Sequence, residues 1–412
     1  MPRISRRAHE VPLSPFRKLV PFADQAKQNG THVYHLNIGQ PDIESPAPAW
    51  QALRDNQETI LAYSPAVGKL SYRQKLVDYY RTFHIDLNPE QIVITTGASE
   101  ALQMLLFACF DLDDEVIIPE PFYANYNGFA TIANVSINPV ATYIEDGFSL
   151  PGLAAFRQKI TERTRAIMIT NPSNPTGSFY DQSDLEKLAA LVREHDLFLI
   201  VDEVYREFCY DGHTFYSALR LAGLEDHVIV VDSVSKRYSA CGARIGAILT
   251  RNEQVLESIT RYAKLRLSPP ALGQLFAEAM LEMDDTYLEE VAQEYDRRRM
   301  VVYNRLKNIP GVVNYKPGGA FYCFARFPVD DAEDFCRWLL ESFSHDGATV
   351  MLSPGGGFYA TPGRGKDEVR IAYILNENDL HRAMDCLEVA LEQYPKAKAM
   401  AATTLESPVR DQ

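Results

Sequence analysis

Long apolar runs are missing from this chain. No stretch approaches the roughly 20 apolar residues that a membrane helix needs, so none is expected. The first residues, MPRISRRAHE, are basic, but no apolar segment follows them, which argues against a secretory signal. Cysteine is sparse: Cys109, Cys209, Cys241, Cys323, Cys336 and Cys386 are scattered, with no C-x-x-C pair and no Cys/His grouping at zinc spacing. Six separate thiols suit a reducing compartment, so no metal is expected and a cytoplasmic location is. Positive charge is in deficit, with a formal net charge of −14. That balance disfavours a nucleic-acid backbone or an anionic membrane as partner, while a local basic pocket for a small anion remains compatible with it. The phosphate-loop pattern G-x-x-x-x-G-K-[ST] is absent, and no strand-linked G-x-G-x-x-G occurs.

What is present is an ordinary globular composition, 46% hydrophobic and 23% charged, spread over 412 residues. That length exceeds a single core and predicts two domains. Strand-like runs occur at Ile92–Thr95, Glu115–Ile118, Ala166–Thr170, Phe198–Val201, Val228–Val231 and Ile245–Leu249. Helix-like segments at Glu100–Phe110, Tyr123–Ala133 and Gln182–His195 lie between several of them, which predicts βαβ units and a largely parallel buried sheet. The link from Val231 to Ile245 is too short for a crossover helix, so those two strands should run antiparallel. A long helix at Tyr287–Lys307 precedes a different pattern: strands at Val312–Tyr315, Ala320–Phe327, Thr349–Leu352 and Val369–Ile374, with helices at Ala332–Phe343 and Asp379–Gln393. The expectation is α/β: a large domain over 48–300 and a smaller α+β domain over 301–412. An irregular arm at 1–12 opens a segment, 1–47, that belongs in part to the small domain, and 396–412 reads as a frayed tail.

Four constellations carry chemistry. In Asp232-Ser233-Val234-Ser235-Lys236-Arg237, followed by Arg244, two hydroxyls and a guanidinium surround a lysine after a strand. They suit a phosphate dianion, and a lysine beside cations becomes a usable Schiff-base amine. A loop lysine alone is usually just a solvated charge. Asp202, in VDEVY, ends an apolar strand, where ligands of open α/β sheets gather; it suits a cationic ring nitrogen, or equally a helix cap. Tyr205, three residues on, can donate a phenolic hydrogen bond to the same side. Thr95-Thr96-Gly97-Ala98-Ser99 turns a strand into a helix whose free N–H groups suit a phosphate, though a plain turn capped by Ser99 explains it as well. Asn171-Pro172-Ser173-Asn174-Pro175-Thr176-Gly177 is a rigid turn offering Asn174 as donor and acceptor.

Together these resemble the class I/II aminotransferases, the fold type I enzymes dependent on pyridoxal 5′-phosphate (PLP). LNIGQPD (36–42), YSPAVGKLSYR (63–73), TTGASEA (95–101), PEPFYANY (119–126), NPSNPTG (171–177), VDEVY (201–205) and VRIAY (369–373) occur in that family's order. The resemblance implies a mostly parallel seven-stranded sheet flanked by helices and a homodimer with shared sites. It implies Lys236 as the cofactor lysine and proton shuttle, Asp202 on the pyridine nitrogen, and Tyr205 and Asn174 on the phenolic oxygen. Ala98, Ser99, Ser233, Ser235 and Arg244 would hold the phosphate, joined by Tyr63 from the other subunit, and Tyr123 would stack on the ring. Arg370 would clamp the substrate α-carboxylate, with Gly39 and Asn174 beside it. The implied reaction is ping-pong amino transfer between an L-amino acid, aspartate first, and a 2-oxo acid. A PLP lyase, or a synthase of the aminocyclopropane-carboxylate type, is the alternative; a non-enzymatic regulatory module is disfavoured by the intact residue set. Arg17, Lys18 and Arg266 are cations without an assigned role.

Overall fold

The structure, a computed structural model, describes residues 2–12, 17–283 and 286–395. The tail expected at 396–412 lies outside the described residues. In place of a wholly irregular arm, residues Arg6–Glu10 form a short helix, capped by the Ser5 side chain accepting from the Ala8 amide.

The first strand, β1 (His32–His35), stays out of the main sheet. That sheet has seven strands: β2 (Ile92–Thr95), β3 (Glu115–Glu120), β4 (Ser136–Ala141), β5 (Thr164–Thr170), β6 (Phe198–Asp202), β7 (Val228–Ser233) and β8 (Gly246–Thr250). Their order is β2-β8-β7-β6-β5-β3-β4. All pairs are parallel except the two that β8 makes, with β2 and β7. The short link therefore does reverse the chain, and Val231 faces Ile248.

β-Branched and apolar residues make these strands because both faces are covered, so the pleat sends alternate side chains into two cores. Ile92, Ile94, Val201 and Val230 pack with Tyr72, Leu76, Leu185 and Leu188. Val93, Ile200, Ile229 and Ile248 pack on the other side with Leu102, Leu105 and Ile259. Strand β4 escapes the sequence reading. It is a half-buried edge strand containing Pro139, and proline is tolerated there because an edge leaves ladder donors unused.

The smaller unit draws on both ends of the chain. Strand β9 (Tyr322–Arg326) is followed by β10 (Ala348–Met351), β11 (Ser353–Pro354) and β12 (Glu368–Ala372). β1 pairs with β10 in parallel, His32 facing Ala348, and β11-β12-β9 form an antiparallel sheet. Leu19, Ala23 and Val33 share one core with Phe335, Leu339 and Leu387. The strand expected at Val312–Tyr315 is reduced to a single bridge, Val313 to Arg326; Gly311 before it and Pro317-Gly318-Gly319 after it bend the chain away from further pairing. The helix Thr286–Asn308 runs past residue 300 and packs against both β9 and the helix Glu377–Gln393.

Candidate active site

The parallel strands end along one edge, and there the candidate residues collect. β5 ends at Thr170, β6 at Asp202 and β7 at Ser233. Because β8 runs the other way, its beginning lies at this edge: Gly246 sits between Thr95 and Ser233. A side chain at Gly246 would stand 2.5 Å from the Gly97 carbonyl carbon and 2.7 Å from the Ala98 nitrogen, so only glycine lets the two turns touch. Arg244, in the left-handed region at φ 52°, is thereby delivered beside the turn that opens the helix Gly97–Cys109. Its Nη2 lies 3.4 Å from the Thr96 carbonyl oxygen.

A cleft of about 220 Å³ is lined by Gly39, Ala98, Ser99, Tyr123, Asn174, Asp202, Tyr205, Ser233, Ser235, Lys236, Arg244 and Arg370. Of the residues singled out in sequence, Tyr63 does not line it and is 79% exposed. Lys236 Nζ donates to the Gly39 carbonyl at 2.7 Å. Asp202 is buried; its Oδ2 accepts from the Tyr126 hydroxyl at 2.9 Å and its Oδ1 from the Val204 amide at 3.3 Å. Burial pushes its carboxyl up to about 6, against the opposing pull of the Tyr126 hydroxyl. No helix follows it, so the helix-cap reading of Asp202 does not apply. Ser99 is not a cap either: the helix starts at Gly97, which leaves Ser99 inside its first turn.

Asn174 joins two parts of the cleft. Its Nδ2 lies 3.4 Å from the Tyr205 hydroxyl, and its Oδ1 accepts from Arg370 Nη1 at 2.9 Å. Arg370 is buried, donates through Nη2 to the Asn37 carbonyl at 2.6 Å, and lies between the rings of Tyr322 and Phe358. Ser233 has a local task as well: it caps the single helical turn Val234–Arg237 and donates to the Ile245 carbonyl at 2.8 Å.

The family model for class I and II aminotransferases matches residues 31–387. The chain belongs to that family. This aminotransferase is 31% identical over 396 residues to an aspartate aminotransferase of Pyrococcus horikoshii, covering 94% of this chain and 97% of the relative. It is 32% identical to the aromatic-amino-acid aminotransferase 2 of Thermococcus litoralis, covering 95% and 98%. The crystal structure of the Thermotoga maritima aspartate aminotransferase superposes with a TM-score of 0.86 at 30% identity, over 95% of this chain and all of that one. The fold is that of the fold type I aminotransferases, and the protein is a transaminase.

The unassigned cations of this aminotransferase resolve differently. Arg266 is tied inward, its Nη1 2.5 Å from Glu100 Oε2 and its Nη2 donating to the Ala66 carbonyl at 2.8 Å. Glu100 in turn accepts from the Thr96 amide, so Arg266 braces the turn before the helix Gly97–Cys109. Lys18 pairs with Glu333, and neither it nor Arg17 lines the cleft. Sequence reasoning missed Tyr322, whose hydroxyl lies 2.8 Å from that of Tyr205, and Tyr126, the partner of Asp202. Tyr126 stands within the PEPFYANY motif, three residues after Tyr123, a helical spacing that signals a shared face.

Proposed function

We propose that this aminotransferase carries pyridoxal 5′-phosphate on Lys236 and moves an amino group between an L-amino acid and a 2-oxo acid in two successive half-reactions. The observation that carries this reading is the meeting of Lys236, Asp202, Arg244 and Arg370 in one cleft. The residues fit the cofactor. Asp202 is a buried carboxylate facing the same cleft as Lys236, suited to a cationic ring nitrogen. The amides of Ala98 and Ser99 at a helix start, the Ser233 and Ser235 hydroxyls and the Arg244 guanidinium suit its phosphate. When bound, PLP supplies an electron-accepting ring.

The chain supplies the rest. Arg370 holds the substrate α-carboxylate in a two-pronged grip, with Asn174 and the Gly39 backbone beside it, and so orients the bond to be broken. Lys236 Nζ takes the proton from the substrate carbon and returns it. With the cofactor bound, Tyr205 and Asn174 would hydrogen-bond its phenolic oxygen, Tyr123 would cover the ring, and an ionised Asp202 would pair with its nitrogen. A second copy of the chain brings Tyr63 to the phosphate. Its support is the exposed apolar ground around Tyr63: Ile60 is 78%, Leu61 63% and Leu265 80% exposed, and the two segments are tied by Ser64 donating to the Pro269 carbonyl. Aspartate leads as donor, with aromatic and neutral amino acids next, in keeping with the names of the relatives. Lyase or synthase chemistry is not favoured, since those relatives are transaminases by name.

Borohydride reduction of the PLP-loaded protein should trap the cofactor on Lys236 and leave none trapped in Lys236→Ala; trapping retained in the variant overturns the assignment. Amino-acid donors offered with 2-oxoglutarate should yield glutamate and a new keto acid. Ammonia released with no glutamate would decide for elimination.

A further inference from the structure

Beside the cleft lies a second set of charges that amino transfer does not use. The side chains of Arg206 and Arg237 are fully buried, and those of Asp232 and Glu207 nearly so. Arg237 Nη2 is 2.6 and 2.7 Å from the two oxygens of Asp232, and its Nε is 2.7 Å from Glu207 Oε1. Arg206 Nη2 is 3.1 Å from Asp232 and donates to the Tyr80 hydroxyl at 2.7 Å; that hydroxyl donates to Asp232 Oδ2, also at 2.7 Å. The Tyr79 hydroxyl donates to Glu207. The rings of Tyr79 and Tyr80 lie against the guanidiniums of Arg237 and Arg206, 4.3 and 4.6 Å from their centroids. Burial alone would raise Asp232; the two guanidiniums override it and lower the carboxyl to about 2.

The placement of these residues in the chain is telling. Arg206 follows Tyr205, Arg237 follows Lys236, and Asp232 precedes Ser233. Each pair sends one side chain to the cleft and its neighbour to the buried charges. The turn bearing Lys236 is only the four residues Val234–Arg237, too short to persist alone. Arg237 closes it back onto Asp232, and Glu207 and Arg206 bind it to the segment after β6. Both segments rest, through Tyr79 and Tyr80, on the helix Leu70–Thr82. A buried ion network is weak evidence for stability, but it fixes geometry, because moving one member strands the others.

We propose that the Arg206–Asp232–Arg237–Glu207 network is a positioning platform that sets Lys236 and Tyr205 relative to each other, an inference that rests on Lys236 being the cofactor lysine. These are positioning residues; none of the four lines the cleft.

The test uses PLP-loaded wild type, Arg237→Met, Arg237→Lys and Glu207→Gln. Wild-type trapping at Lys236 checks the functional reading separately. In Arg237→Met the cofactor should still be trapped, kcat should fall by about 10- to 100-fold with KM for the amino donor nearly unchanged, and the pH midpoint of the visible absorption band should move by about one pH unit. Arg237→Lys should lie between the two, and Glu207→Gln should shift the same readouts less. A folded Arg237→Met with wild-type kcat and midpoint, or with a loss confined to KM, overturns the proposal. If Arg237→Met does not fold, Glu207→Gln decides: an unshifted midpoint and kcat there overturn it equally.

Discussion

Replacing Gly39 by alanine would place a methyl group where the Tyr322 ring already lies. The new Cβ would stand 1.8 Å from the Tyr322 hydroxyl oxygen, 2.4 Å from Cζ and 2.6 Å from Cε1, where ordinary contact begins at 3.4 Å. The ring must retreat by more than about 1 Å, a distance at which catalytic alignment loses about 100-fold. It has little room to do so. Tyr322 is 2% exposed, its hydroxyl is bonded to Tyr205, Phe321 lies beside it at 5.1 Å between centroids, and the Arg370 guanidinium stands 4.7 Å from its centroid. Overpacking of this kind costs about 1–3 kcal/mol. Gly39→Ala should therefore lower Tm by several degrees and kcat/KM by about 100-fold, while Lys236 still traps the cofactor. The cause is checked by a double-mutant cycle with Tyr322→Ala, which removes the ring that clashes. In that background the alanine should be nearly neutral, giving a coupling of about 1–3 kcal/mol. An alanine as active as glycine, or one equally harmful in both backgrounds, refutes the reasoning.

Arg370→Lys keeps a positive charge but loses the planar fork, leaving the Asn37 carbonyl and Asn174 Oδ1 to share one ammonium. Steady-state kinetics should show kcat/KM down by about 100-fold for amino and keto substrates alike, with cofactor trapping intact; a loss of less than about threefold would remove Arg370 from carboxylate binding. Tyr126→Phe removes a donor that favours ionised Asp202, so a carboxyl already at about 6 rises further. The ionised form, present above that pH, is the one that pairs with a cationic ring. PLP binding by the apoprotein, titrated across roughly pH 5–8, should therefore fail at a higher pH in the variant as the solution is acidified. An unmoved profile would contradict the pairing.

The large sheet was legible because its central strands are buried on both faces, which demands continuous apolar runs such as Ile92-Val93-Ile94. Ser136–Ala141 was not, because an edge strand imposes no such demand. The helices Val20–Gln28 and Ala47–Asp55 were also hidden: each carries a proline in its first turn, which reads as a breaker although it is well placed at a helix start. In the cleft, Lys236, Asp202 and Asn174 were legible because each lies at or just past a strand's end. Tyr322 stands at the start of its strand, and its place depends on contacts with Tyr205 and Arg370, which lie far away in sequence. Arg266 shows the limit of reading charge alone: its partners, Glu100 in the helix Gly97–Cys109 and Ala66 in an earlier turn, are brought together only by folding.

The pairing of β1 with β10 has a consequence for the order of events on the ribosome. β1 emerges among the first residues, yet its hydrogen-bonding partner, Ala348–Met351, is synthesised after the whole seven-stranded sheet. The sheet can condense from contiguous units while the N-terminal segment still lacks the strand that anchors it beside Gly39. Productive assembly of the cleft is thus a late event that needs nearly the full chain. A truncation between the last helix packed on the sheet and Ala348 would keep all seven strands and Lys236 but remove the strand that pairs with β1, along with Arg370.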